Sequence, residues 1–477
     1  MQTSVEAPGF VVEVQALAYR SDAFYDPADI HCDFLRAWLP DIDTAQMSCL
    51  RAYELACHSV HVVHGFSCRD IRHGTDARIA GPKRQFPPAR APPGGHVRSH
   101  EALAPRRHCA IGPSSDGDQV NNASALRIGI LEGDDIGLEV VPETIKVMRA
   151  AAEKCALAID WHPVPIGRKA YDELGYTLPP GTLEKLDTLD GWVLGPIGHQ
   201  AYPKGKPNAI NPHPILRKHY DLFANVRPAK SLPGLPALYS DVDLIIVREN
   251  NEGMPPDRNV FMGNGEFRPT PDMTIGIRVI TRQGSSKVAR AAFELARTRP
   301  RKKVTAVHKD TVFKLACGMF AEECRAMAEQ YPDIAYDEVL VDTMAMKLVM
   351  KPQQFDVIVT TNTFGDILSD AAAGLVGGLG LAAGLSAGPD RAMAQATHGS
   401  APDIAGKGIA NPYAMIVSGQ MLLAWLGHKH AQPKAIEAAD VIERAVERVI
   451  REAKTLTPDL GGKASTRGMG DAIAAAI

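Results

Sequence analysis

An α/β fold is what the sequence predicts from Leu126 to the C-terminus, on two observations: short apolar runs alternate with longer stretches of helical period, and several of the runs are apolar throughout. Strands buried on both faces require such runs, and alternation with helices is how they are connected. The chain has 477 residues, 45% of them hydrophobic and 22% charged, the composition of an ordinary globular protein. That length suits two or three domains at roughly 100 to 200 residues each. A formal net charge of -3 gives no long-range attraction for nucleic acid, so none is expected as a partner. No run of about 18 apolar residues predicts a membrane span, and the first residues lack the pattern of a secretory signal, so the expected address is cytoplasmic. The eight cysteines have no regular framework and read as reduced thiols.

Taken in order, the apolar runs predict strands at Leu126–Leu131, Gly191–Leu194, Leu222–Val226, Val242–Val247, Thr274–Ile280, Val304–Val307, Glu338–Val341 and Phe355–Thr360. Apolar spacings of three and four predict helices over Glu139–Lys154, Lys287–Arg297, Thr311–Gln330, Asn411–Leu426 and Ile436–Lys454. In the last of these, Ile442, Ala445, Val449 and Ala453 form the packing face and the Glu/Arg face is solvated.

Residues 1–125 are of another kind. They hold five of the eight cysteines, show no sustained period, and end in a Pro/Arg/Gly-rich run (Pro82–Gly95) and the polar Ser114–Ser124. The expectation is a low-order extension; a natural translation start nearer Leu126 is a second account of it. Cys57, His58, His61, His64 and Cys68 are zinc-type ligands at short spacing, but the spacing is not that of a common zinc module, and an unstructured segment is the expected reading.

Two glycine groups invite a dinucleotide reading. Gly133-Asp134-Asp135-Ile136-Gly137 sits between a strand and a helix but lacks the third glycine, and Gly378, Gly380 and Gly384 follow a helix rather than a strand. A Rossmann site is not expected; turns and close packing explain these glycines.

The chemistry-bearing residues are arginines and acids. Arg217, Arg227 and Arg248 stand at or beside predicted strand ends, each a planar fork suited to a carboxylate, although a lone arginine is more often a solvated surface charge. Asp366 and Asp370 are four apart, so a helix there projects both from one face toward a shared hard cation; alternatively they merely favour a helix N-terminus. Asp342 follows a predicted strand end and is a candidate third carboxylate.

The segments Gly133–Val140, Leu216–Pro228, Val247–Gly253, His308-Lys309, Val341–Met346, Asn362–Asp370, His398–Pro412 and Asp459–Gly462 together resemble the isocitrate and isopropylmalate dehydrogenase family, the β-decarboxylating dehydrogenases, across Leu126–Ile477. The resemblance implies a two-domain α/β fold that is not a Rossmann fold: a large cofactor-binding domain of residues 126–222 and 377–477, and a small domain of residues 223–376 carrying catalytic, metal and dimer-interface residues. It implies that Arg217, Arg227 and Arg248 clamp substrate carboxylates, that Asp342, Asp366 and Asp370 hold Mg²⁺ or Mn²⁺, and that Lys309 and Asp342 are catalytic, with lysine and one aspartate crossing a homodimer interface so that active sites are shared. The cofactor is expected along His398, Gly399, Ser400, Ala401, Pro402, Asp403 and Asn411, and an acid at Asp403 implies NAD rather than NADP, because it accepts from ribose hydroxyls and repels a 2′-phosphate.

The family pattern is broken at three places. A tyrosine usual a few residues after the Arg-Glu-Asn motif is absent from Gly253-Met254-Pro255-Pro256-Asp257, leaving Lys309, Tyr202 or Tyr220 as replacement acids. Thr311 replaces a common asparagine. Asn211, Pro212, His213 and Pro214, where relatives read the substrate's variable group, match neither the leucines of isopropylmalate readers nor the serine and asparagine of isocitrate readers. The expected substrate is a 3-substituted malate of isopropylmalate type, within a class of 2-hydroxy di- or tricarboxylic acids. Isocitrate, tartrate or malate oxidation, or a catalytically silent regulatory relative, are the alternatives; the intact Lys309, Asp342, Asp366 and Asp370 speak against silence.

Overall fold

A computed structural model describes residues 4–7, 10–13, 125–255, 259 and 265–477. Within residues 1–125, β1 (Ser4–Ala7) and β2 (Phe10–Glu13) pair as an antiparallel ribbon. Cys57, His58, His61, His64 and Cys68 lie outside the described residues.

The rest is organised by one mixed ten-stranded sheet flanked by helices. Chain order runs β3 (Leu126–Leu131), α1 (Gly137–Lys154), β4 (Ile159–Pro163), α2 (Gly167–Leu174), α3 (Thr182–Asp187), β5 (Gly191–Leu194), α4 (Pro212–His219), β6 (Ala224–Lys230) and β7 (Asp243–Glu249). A hairpin follows, β8 (Glu266–Thr270) and β9 (Met273–Gly276), then α5 (Arg282–Thr298), β10 (Lys303–His308), α6 (Ala316–Gln330), β11 (Ala335–Leu340), α7 (Val341–Met350), β12 (Val357–Thr360) and α8 (Asn362–Val376). Short strands β13 (Leu385–Ala387) and β14 (Ala392–Ala394) precede α9 (Tyr413–Lys429), α10 (Pro433–Glu452) and α11 (Thr466–Ala476).

Across the sheet the order is β11-β10-β12-β7-β6-β13-β14-β5-β3-β4. Strands β11, β10, β12, β7 and β6 therefore fill one half, and β13, β14, β5, β3 and β4 the other. Pairing is parallel except at β6–β7, β6–β13 and β13–β14. Strands β5 and β12, apolar but for Thr360, are buried at every residue, as helices on both sheet faces require. One core joins α1, α9, α10 and α11 to β3; α5 and α6 cover one face of β7, β10 and β12, and α7 and α8 cover the other.

Several predicted bounds move for physical reasons. The strand expected at Leu222–Val226 runs instead through Arg227 and Pro228 to Lys230. A proline is tolerated there because β13 pairs with Ala224–Val226 and not beyond, leaving Pro228 no partner on that side. The run Thr274–Ile280 does not enter the large sheet: β9 pairs with β8 as a separate exposed hairpin. The helix expected from Thr311 begins at Ala316, Val341 opens α7 rather than closing β11, and Ala453 is an exposed left-handed cap (φ 53°) past the end of α10.

Candidate active site

Strand register brings two of the arginines together. Asn225 of β6 lies opposite Arg248 of β7, and Arg227, two residues along β6, points to the same face. Both guanidinia are buried, Arg227 8% and Arg248 4% exposed. Arg227 donates from Nε to Asn225 Oδ1 (2.5 Å) and from Nη1 to Ser369 Oγ (2.6 Å) and Asp366 Oδ1 (3.3 Å). Arg248 donates from Nε (3.0 Å) and Nη2 (2.6 Å) to Asn362 Oδ1, and from Nη1 to the same Asp366 oxygen. Burial pulls Arg248 down to about 9, and the charges of Arg227 and Arg217 push it the same way against Asp366. The half-buried Arg217, in the last turn of α4, thus belongs electrostatically to the same group. Two buried guanidinia converging on Asp366, with the charge of Arg217 felt nearby, form a strong receptor for a further carboxylate.

Helix α8 supplies that acid. Its parent strand β12 runs parallel to β7 with Thr360 opposite Arg248, so the helix starts beside the arginines. Asn362 and Ser369, both ligands of the arginines, were hidden in the sequence although they share the run that carries Asp366 and Asp370. Gly365 permits the contact: a Cβ there would lie 2.6 Å from Arg248 Cγ and 2.7 Å from its Cβ. Asp366 and Asp370 are one turn apart, with side chains 45% and 54% exposed. Burial and then Asp366 raise the Asp370 carboxyl, while Arg227, 3.7 Å away, lowers it. Arg227 Nη1 already lies between the two acids, 3.3 Å from Asp366 and 3.7 Å from Asp370, and the carboxylates, half exposed and on one helix face, are hard oxygen donors of the kind that fit Mg²⁺ or Mn²⁺.

Lys309 and Asp342 form a second group. They follow the parallel neighbours β10 and β11, whose ends His308 and Leu340 are in register, so the loop lysine and the first-turn aspartate of α7 meet at 2.7 Å. The Lys309 ammonium holds the Asp342 carboxyl below its ordinary range. Behind them buried His308 contacts Glu338 Oε2 at 3.0 Å. Among the described residues no three histidine, cysteine or acidic side chains gather as a metal site within one chain. Within one copy Asp342 is tied to Lys309, and Asp366 and Asp370 stand with the arginines.

The loop from His398 to Asn411 docks on the start of α1. Ser400 O accepts from Ile136 N (3.2 Å) and Glu139 accepts from Gly406 N (2.6 Å). Asn411 is fixed at its end, donating to Asp459 Oδ2 (2.9 Å) and accepting from Tyr413 N (2.9 Å). Ala401 is left-handed (φ 44°), and Gly399, Pro402 and Asp403 are exposed along the loop. Burial lowers the His398 imidazole, and its buried Nε2 has no partner among the described residues, a polar atom suited to a bound cofactor. The Gly133–Gly137 loop is occupied otherwise: Asp134 accepts from Arg168 N (2.5 Å), Gly198 N (2.7 Å) and Tyr202 OH (2.6 Å). That agrees with a packing role for its glycines.

Tyr202 is therefore committed to Asp134, and Tyr220 donates to Leu183 O (2.9 Å); burial raises both phenols. His213, on the arginine-bearing helix α4, is half-buried against Gln395 at 2.5 Å and held well below its ordinary pKa, first by desolvation of its ring and then by Arg217. Asn211 caps that helix, accepting from His213 N (3.1 Å), with Pro212 at its first turn.

The model of the isocitrate/isopropylmalate dehydrogenase family matches residues 127–473. A 3-isopropylmalate dehydrogenase of Archaeoglobus fulgidus is 43% identical over 351 residues, 74% of this chain and 99% of that protein. An isocitrate/homoisocitrate dehydrogenase of Thermus thermophilus is 41% identical over 354 residues, again 74% and 99%. The crystal structure of isocitrate dehydrogenase from Methylococcus capsulatus aligns with a TM-score of 0.64 at 41% identity, covering 74% of this chain and 99% of that one. With the arginine group, the paired acids and the lysine–aspartate pair all inside the matched span, the chain belongs to the isocitrate/isopropylmalate dehydrogenase family and is a β-decarboxylating dehydrogenase.

Proposed function

We propose that the chain oxidises and decarboxylates a 3-substituted malate of isopropylmalate type with NAD and Mg²⁺ or Mn²⁺, as a homodimer with shared active sites. The observation that carries this reading is the buried arginine group beside Asp366 and Asp370, a receptor for a hydroxy acid's carboxylates adjoining oxygen donors for a hard cation. Asp366, Asp370 and Asp342 of a second copy would hold the metal, which when bound acidifies the substrate hydroxyl and stabilises the charge left by loss of CO₂. Exposed apolar residues Val312, Leu315, Met346, Met350 and Ile367, spread over the lysine turn, α7 and α8, support the pairing of two copies.

The chain's own residues divide the remaining work. Arg217, Arg227 and Arg248 bind and orient the acid. Lys309, hydrogen-bonded to an ionised Asp342, shuttles the proton: the pair takes it from the hydroxyl and returns one to the enol carbon, Tyr202 and Tyr220 being occupied by their own hydrogen bonds. The exposed acid Asp403 favours NAD over NADP. A neutral His213 beside Arg217 puts no cation where the variable group is read, which favours an uncharged substituent over the third carboxylate of isocitrate. The same proposal takes residues 126–222 with 377–477 and residues 223–376 as two domains meeting along the sheet, and a cytoplasmic location.

The test is NADH formation, with Mn²⁺ and with NADP in parallel, from 3-isopropylmalate, isocitrate, tartrate and malate. Fastest turnover of 3-isopropylmalate with NAD is expected. Preference for isocitrate or NADP would overturn that specificity, and silence toward every acid would overturn the reading.

A further inference from the structure

The turn that carries Lys309 is held by little of its own. From Thr311 to Leu315 every residue is exposed in the single chain, and the turn closes through Val312 N and Phe313 N donating to Lys309 O at 3.1 and 2.9 Å. A loop with so few buried contacts opens readily unless something outside it intervenes.

Arg278 lies against it. The guanidinium carbon stands 5.3 Å from the ring centre of Phe313, in the lysine turn, and 4.9 Å from that of Phe364, in the first turn of α8. Its Nη2 donates to Thr361 Oγ1 at 2.9 Å, and Thr361 is the residue before Asn362, the acceptor for Arg248. Its Nε is buried without an acceptor among the described residues, so the two rings and the bond to Thr361 are what hold the guanidinium in this slot. Stacking between two rings is a role for a planar cation.

We infer that Arg278 is a positioning residue, clasping the Lys309 turn to the start of the helix that bears Asp366 and Asp370. The inference rests on the reading of Lys309 as the proton-carrying residue, and it adds a link that none of the arginine, aspartate or lysine motifs contains. Arg278, Phe313, Phe364 and Thr361 are none of the residues assigned to bind the acid, the metal or the cofactor. Its loss misplaces the amine while the carboxylate-binding arginines, held by Asn362, Asn225 and Ser369, stay where they are.

Arg278→Met, which keeps length and removes charge and plane, tests this against Arg278→Lys and against Arg297→Met. The last removes another arginine stacked on a ring, 5.9 Å over Tyr331, in a different part of the fold. Arg278→Met is expected to lower kcat by about tenfold or more, since misplacement of about 1 Å can cost a hundredfold, with KM for the hydroxy acid within about twofold. Arg278→Lys is expected to recover part of kcat, and Arg297→Met to leave it unchanged. Hydrogen–deuterium exchange gives a readout independent of turnover: the amides of Val312 and Phe313 should exchange faster in Arg278→Met alone. Unchanged exchange there overturns the inference even if the substrate is misassigned. A rise in KM at unchanged kcat, or an equal loss in Arg297→Met, overturns it as well. Faster exchange in a protein that makes no NADH would uphold the clasp and sink the proposed reaction.

Discussion

Gly365→Ala is the substitution whose consequence can be worked most directly from distances. The new methyl would sit 2.6 and 2.7 Å from Arg248 Cγ and Cβ and 3.1 Å from Thr360 Cγ2. Carbon atoms rest at about 3.5–4.0 Å, so Arg248 must retreat by about 1 Å. The helix itself gains about 1 kcal/mol from replacing glycine with alanine, but forced overpacking costs about 1–3 kcal/mol, and the retreat strains three hydrogen bonds that neutralise or orient a buried charge. The clash therefore wins. A displacement of that size in a substrate-orienting arginine is expected to lower kcat/KM by about a hundredfold, roughly 2.7 kcal/mol. Far-ultraviolet circular dichroism and a thermal melt, run beside steady-state kinetics on the active hydroxy acid, check both halves. A variant with kcat/KM within twofold of the parent would show that Arg248 does not grip the substrate from this position.

Three further outcomes follow from the site. Asp370→Asn should reduce Mn²⁺-dependent turnover by about a hundredfold or more while leaving the melting temperature nearly unchanged, because its pairing with Arg227 is long at 3.7 Å; Mn²⁺ titration and a melt measure the two. Asp366→Asn should lose turnover and also melt earlier, since that carboxylate neutralises both buried arginines; an unshifted melt would refute the shared-counterion account. Asp403→Lys should weaken NAD use by tenfold or more and admit NADP, and kinetics showing NADP already preferred in the parent would remove Asp403 from the cofactor argument. Burial pushes the Glu249 carboxyl up to about 8 from 4.5 against hydrogen bonds from Asn251 N and Glu252 N. Between those values the folded chain holds a proton that the unfolded chain has lost, so stability from this group is present below about 4.5 and declines as pH rises through about 8. Melts from pH 5 to 9 should show a downward slope that Glu249→Gln flattens; parallel curves would contradict it.

The sequence made some of this legible and hid the rest for identifiable reasons. Strands β3 and β5 and the long helices α1 and α10 announce themselves because their apolar period reflects burial directly. Strand β6 shows only its first half, within the run Leu222–Val226, because Arg227 sits where a core pattern would place an apolar residue and Pro228 argues against a strand. The short β13 and β14 are three residues each, too brief to carry a period. The candidate acids and arginines were visible as residue types at helix and strand ends. Their partners Asn225, Asn362 and Ser369 were not, because an amide or hydroxyl acquires meaning from what it faces, and that depends on register between strands distant in sequence.

The division of the site into two groups carries the deepest consequence. Asp366 and Asp370 on α8 stand with the arginines, whereas Asp342 on α7 stands with Lys309, and among the described residues no three metal-binding side chains gather within one chain. A carboxylate receptor without a proton carrier can bind but not turn over, and a lysine–aspartate pair without the receptor has nothing to act on. The apolar residues left exposed on the lysine turn and on α7 and α8 flank both groups. Association through that surface would bury them and set the Lys309–Asp342 pair of one copy beside the arginines of the other. Catalysis then becomes a property of the pair, so turnover per chain should fall on dilution below the dimer's dissociation constant. Mixing Asp370→Asn with Lys309→Met chains should restore activity, because half-sites from the two parents complete one intact centre in each mixed dimer. Sedimentation and activity measured across the same dilution series would test the first statement, and absence of restored activity in verified mixed dimers would exclude a centre built from two chains.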